Sequence, residues 1–254
     1  MATERLAIQL LGDFRVSVAA RAIDERAWTS RRARRLVKLL ALTPQHRLRR
    51  EHIIDRLWPH MDPEDGANNL HQALYMARHI LEPDRPPRRA SSYLRLCHDL
   101  LVLEAPGGLW IDVEVFLAAA RAAHEGRTPQ AYREALRLYT GDLVLEDQYE
   151  DWVIAYREWL SGLRVTLLVH LAGVQEQSGD LSAAIDALQE AVVSDPEHEE
   201  AQGLLMRLLV QAGRRHLALR HYQALRAALQ RELDVEPAAS LQALYQDIRG
   251  GHPA

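Results

Sequence analysis

Several features common in a chain of this length are missing here. One cysteine, Cys97, stands alone in 254 residues. No intramolecular disulfide can form, which excludes a secreted disulfide scaffold and fits a reducing cytosol. No apolar run approaches the ~18 residues that a membrane-spanning helix needs. Glu4, Arg5, Asp13 and Arg15 lie where a signal peptide has its apolar core. The common catalytic signatures are also lacking: there is no G-x-x-x-x-G-K-[ST] phosphate loop and no serine elbow. His216 and His221 do not have the i, i+4 spacing around a glutamate of a helical zinc protease, and Cys97-His98 has no second cysteine cluster to complete a zinc site. These absences predict a cytoplasmic protein that is not an enzyme, with no membrane contact, metal or cofactor.

The apolar fraction of 48% and charged fraction of 26% are those of a folded chain. The net charge of −4 hides a division, because residues 1–110 carry 18 basic and 13 acidic side chains while residues 111–254 carry 13 and 22. A basic first part suits a polyanion; an acidic second part suits a protein.

Leu6, Ile8 and Leu10, then Phe14, Val16 and Val18, alternate around Gly12-Asp13, predicting two short strands. Helical spacing follows over 30–43, with Ser30 as cap, Leu36, Leu39, Leu40 and Leu42 as the apolar face, and Pro44 as the stop. A second helix runs over about 49–58 with Ile53, Ile54 and Leu57 inside. After a turn bounded by Pro59 and Pro63, a third spans about 64–81 with Leu70, Leu74, Ala77 and Leu81 on its buried stripe. Two more strands flank Cys97-His98-Asp99. The fold class predicted is mainly α: a winged helix-turn-helix with a small sheet and a wing hairpin, residues 1–108, then an all-α tetratricopeptide-like repeat domain, residues 109–254. Pro106-Gly107-Gly108 is the predicted boundary. The repeat shows as a shift of 34 residues, which carries Gly179 onto Gly213 and Ala184 onto Ala218. Trp28, Trp58, Trp110, Trp152 and Trp159 are expected as core anchors, the last two as a packing stripe seven apart.

Phe14, Trp28, the basic run Arg31–Lys38, Arg50-Glu51, Leu57-Trp58-Pro59 and Asn68–Leu74 resemble the winged-helix half of the antibiotic regulatory protein family. Trp110–Val113, Leu138-Tyr139, Gly141-Asp142, Asp151-Trp152, Asp195-Pro196, Gly213-Arg214, Tyr222 and Glu236-Pro237 resemble the bacterial transcriptional activator domain that follows it. The resemblance spans about residues 6–248. It implies a transcriptional activator that binds direct repeats in double-stranded DNA, often as a homodimer, and helps RNA polymerase engage; activation rather than repression rests on the resemblance alone. With no phosphate loop present, the chain reads as a short member or the activator part of a longer one.

On the third helix, Asn69, Gln72, Tyr75, Met76, Arg78 and His79 lie on or beside the face opposite the apolar stripe, with His71 near its edge. Asn and Gln pair bidentately with adenine, and Arg with guanine or a phosphate. Arg31, Arg32, Arg34 and Arg35 open the first helix and suit phosphates, which set orientation without reading sequence. Arg50 opens the second helix, where free amides also favour a phosphate, although Glu51 and Asp55 are alternative partners. In the wing Arg95 and His98 are placed for the minor groove, preceded by Arg88 and Arg89. Each residue also suits a solvated face. The competing reading is a helical-repeat scaffold for a protein or peptide, with the winged helix as its interaction surface. Alanine at Arg31, Arg32, Arg50 and Arg78 separates the two. No residue set in the sequence specifies a small-molecule effector.

Overall fold

Leu6 and Ile8 are fully buried and alternate with half-exposed neighbours, so the first strand has one face in a core. In a computed structural model, which describes residues 5–19, 21–86, 88–147, 150–232 and 234–250, this strand, β1 (Leu6–Gln9), pairs antiparallel with β2 (Arg15–Val18), and β2 with β3 (Arg21–Ala22). A strand beyond the glycine pair, β7 (Leu109–Ile111), runs parallel to β1 and completes the order β3-β2-β1-β7. The chain forms two compact units: residues 1–115 with 140–157, and residues 116–139 with 158–254.

In the first unit, α1 (Arg31–Leu42) starts where the Ser30 hydroxyl accepts from the Ala33 amide and buries Leu36, Val37, Leu39 and Leu40. A strand that the sequence pattern does not announce, β4 (Arg47–Arg49), follows; three residues are too few to show alternation. It pairs with β6 (Leu100–Leu103), which pairs in turn with β5 (Leu94–Cys97), giving a three-stranded sheet whose β5–β6 hairpin is the wing. Between β4 and β5 lie α2 (Arg50–Leu57) and α3 (Pro63–Leu81), with Pro63 in the first turn of α3, where its missing N–H costs nothing. This is a winged helix.

Gly66 sets how closely α2 and α3 cross. A Cβ at this position would lie 2.4 Å from Cγ2 of Ile54, a branched side chain with little rotamer freedom. Gly66→Ala is therefore expected to lower stability by ~1–3 kcal/mol, although Ala improves helix propensity by ~1 kcal/mol. In an Ile54→Ala background the penalty should vanish. Urea denaturation of the four combinations checks this; a Gly66→Ala protein as stable as the parent would refute it.

The second unit is helical. It contains the later part of α4 (Asp112–Gly126), α5 (Pro129–Leu138), the later part of α6 (Asp151–Gln177), α7 (Leu181–Ser194), α8 (Glu199–Gln211), α9 (Arg215–Glu232) and α10 (Ala239–Gly250). The 34-residue shift is structural. Gly179 and Gly213 both turn the chain with positive φ, +81° and +74°. Ala184 on α7 and Ala218 on α9 are both fully buried, as small residues are where repeat helices pack closely. α10 closes the array: Tyr245 stacks on Tyr222 at 4.2 Å, and the Arg215 guanidinium donates to the carbonyls of Ile248 and Arg249 at its C-terminus.

The tryptophans divide. Trp28 and Trp58 are buried and Trp110 and Trp152 half-buried, but Trp159 is 51% exposed, which corrects its expected place in a packing stripe. Seven residues do return to one helix face. The division between the units, however, falls at Arg157–Glu158, so the two tryptophans belong to different units.

Candidate nucleic-acid interface

The apolar stripe of α3 buries Leu70, Ala73, Leu74, Ala77, Ile80 and Leu81 against the first unit. At about 100° per residue the opposite face must be centred on Asn68, Gln72, Tyr75 and His79. All four are exposed, Tyr75 by 64%, and His71 is exposed beside them. Glu64 and Asp65 occupy the first turn. Their charge disfavours a polyanion there and leaves the positions from Asn68 onward as the usable surface.

Asn69 lies elsewhere. It is 8% exposed and its amide nitrogen donates to the Met61 sulfur at 2.7 Å. The phase of Leu70, Leu74 and Ala77 already places Asn69 on the flank and Asn68 on the open face, so Asn68 was legible in the sequence and was missed. Met76 and Arg78 are half-buried. Arg78 Nε and Nη2 both donate to the Leu94 carbonyl, at 3.0 and 2.8 Å, tying the start of β5 to α3. Burial, then the charge of Arg85, lowers its pKa, with Glu82 opposing. Arg78 holds the wing in place rather than standing on the open face.

The basic run also divides. Arg31 and Arg32 are exposed, and Arg32 Nη1 donates to Gln72 Oε1 at 3.0 Å, so the start of α1 adjoins the open face of α3. Arg34, Arg35 and Lys38, one and two turns on, are engaged internally. Arg34 pairs with Glu146 at 2.5 Å and donates to the Trp28 carbonyl. Arg35 pairs with Glu150. Lys38, fully buried, pairs with Glu146 and with Asp147 at 2.6 Å, its ammonium 4.7 Å from the Phe14 ring centroid. A phosphate at Arg34 would have to displace these carboxylates.

Arg50 is half-buried, with its amide donating to the Asp99 carbonyl; the ion pair beside it is Arg49–Glu51, at 3.9 Å. On β4 Arg47 and Arg49 are both exposed two residues apart, hence on one side, and Arg56 is exposed on α2. In the wing Arg95 pairs with Glu104 at 2.9 Å, both exposed. His98 takes the left-handed turn position between β5 and β6 with φ +56°, at the exposed tip. Arg88 and Arg89 are exposed before it. The structure thus brings together Gln72, Tyr75, His79, Arg31 and Arg32. Among the described residues no cluster of three or more His, Cys, Asp or Glu side chains could hold a metal, and no helix is long and apolar enough to cross a membrane.

Such a surface, a helix face of amides, phenol and imidazole edged by arginines, can pair with base edges and phosphates. Residues 111–249 match the profile of the bacterial transcriptional activator domain. The transcriptional regulator RedD of Streptomyces coelicolor is 27% identical over 227 residues, which cover 87% of this chain and 65% of RedD. The structure of Mycobacterium tuberculosis EmbR in complex with a low affinity phosphopeptide superposes with a TM-score of 0.75 at 22% identity, over 98% of this chain and 66% of that one. That likeness shows the fold. The chain spans about two thirds of the length of each.

Proposed function

The chain belongs to the bacterial transcriptional activator domain family, with regulators of the antibiotic regulatory protein type, and from that premise we propose that it binds promoter DNA sequence-specifically and recruits RNA polymerase. The observation that carries this reading is the open face of α3. Asn68, Gln72, Tyr75 and His79 stand exposed on a helix whose other face is fixed in a winged helix, with Arg32 bonded at the edge. The α3 face enters the major groove. Arg31, Arg32 and the wing tip at His98 hold backbone and minor groove. DNA binding is assigned to residues 1–108 and activation to 109–254, of which 109–115 and 140–157 pack in the first compact unit; the acidic balance beyond residue 110 suits contacts with polymerase or a second copy on a direct repeat.

Selection from a pool of random duplexes at near-physiological salt tests this, and enrichment of a direct repeat is expected. On the enriched site, Gln72→Ala and Tyr75→Ala should each relax specificity, Gln72→Ala by ~1–3 kcal/mol, roughly 5- to 150-fold. Arg31→Ala and Arg32→Ala should weaken all sequences alike and each reduce the salt slope by about 1. Arg78→Ala should act through wing placement and cost affinity on every sequence. Absence of enrichment, or an affinity independent of salt, would leave the scaffold reading in place.

A further inference from the structure

Trp159 takes no part in the DNA face, and its exposed indole forms one wall of a cleft in the helical unit. The cleft lies between residues 117–125 of α4 and 159–170 of α6 and has a volume of about 390 Å³, within the ~300–1,000 Å³ range of small-molecule sites. We propose that it binds a fused-ring aromatic hydroxy compound. The inference is independent of the DNA reading, since every lining residue belongs to the second unit.

The shape and chemistry of the cleft select this class. Leu117, Ala120, Leu163 and Leu167 line it with aliphatic surface, and Trp159 offers a flat ring beside them. A planar apolar body buries against both, with offset stacking on the indole. Polar groups in the lining include the imidazoles of His124 and His170, whose rings lie 5.5 Å apart. The Thr166 hydroxyl, also in the lining, donates to the Gly162 carbonyl at 2.9 Å. The ring of buried Tyr132 lies 6.0 Å from that of His170. Burial lowers the pKa of His170, and the charges of His124 and Arg127 add to this while Glu200 opposes it, which disfavours the imidazolium. A neutral imidazole has one donor and one acceptor nitrogen. A phenolic hydroxyl answers this pair by donating to one ring and accepting from the other. Arg121 and Glu125 at the rim carry opposite charges, so the cleft calls for no net charge on its ligand.

The test is calorimetric titration of the full chain with 2-naphthol as probe. Saturable binding at one site per chain is expected. Trp159→Leu, at an exposed position, and His170→Phe should each weaken it by ~3–10-fold. Thr166→Phe, also exposed, should close the mouth and abolish it, with circular dichroism unchanged in all three. The proposal is overturned by no saturable binding up to ~1 mM, or by binding that Trp159→Leu and His170→Phe leave unaltered. It is equally overturned if the cleft refuses naphthol and takes an amphipathic peptide helix instead.

Discussion

Lys38→Met is expected to destabilise the first unit by ~3–5 kcal/mol, the usual cost of removing one partner from a buried ion pair. Methionine matches the lysine stem in length, so the loss isolates the ammonium, including its contact with the Phe14 ring. Lys38 is 0% exposed and Asp147 8% exposed. Without the ammonium, the Asp147 carboxylate still has Arg35 at 3.9 Å, and Arg157 donates to its backbone carbonyl at 3.2 Å. The signature should appear in acid as well. Burial alone would raise the pKa of Glu146, but Lys38 and then Arg34 outweigh it and hold the carboxyl below its ordinary 4.5. A carboxylate depressed in the folded state contributes stability above the unfolded value, and that contribution is lost as pH falls through the folded one. Stability should therefore drop as pH falls below about 4.5, and more gently in Lys38→Met. Urea midpoints at several pH values measure both effects. Equal stability of parent and variant at pH 7, or the same acid slope in both, would show that the network contributes nothing.

Asp112→Ala should cost a similar amount by another route. The Asp112 carboxylate, 6% exposed, accepts from the amides of Leu10 (2.9 and 2.8 Å), Leu11 (2.8 Å) and Val113 (2.8 Å). Burial raises its pKa, and the amides of Leu11, Leu10 and Val113 pull against that. Leu10 and Leu11 are fully buried where β1 ends, so no water replaces the lost acceptor. Two orphaned amides at ~1–3 kcal/mol each give ~2–6 kcal/mol. Asp112→Asn keeps one acceptor oxygen and should fall between variant and parent. Thermal unfolding of the three proteins orders them, and an Asn variant no better than Ala would argue that charge, not hydrogen bonding, matters at this position.

Much of the winged helix is legible because its signals are local. Ser30 caps α1, Pro44 stops it, and Pro63 opens α3 three residues before Gly66. The stripe Leu70–Leu74–Ala77 sets the phase of α3, and with it the open face at Gln72, Tyr75 and His79. The 34-residue spacing of Gly179 and Gly213 marks equivalent turns, because both need a left-handed backbone that glycine takes without cost. Each of these rests on a residue's own conformational preference or on neighbours within two helical turns.

Which arginines remain available was decided by the tertiary structure. Arg31, Arg32, Arg34, Arg35 and Lys38 are equivalent as a basic run, but the fold brings Glu146, Asp147 and Glu150, more than 100 residues later, onto the last three. The same holds for β4 and β7, which are strands because β6 and β1 offer them open edges. Trp159 is exposed although it follows Trp152 by seven residues on the same helix, α6. Periodicity and capping are written in adjacent residues. Charge neutralisation, edge pairing and burial depend on partners distant in sequence, and only the folded chain selects them.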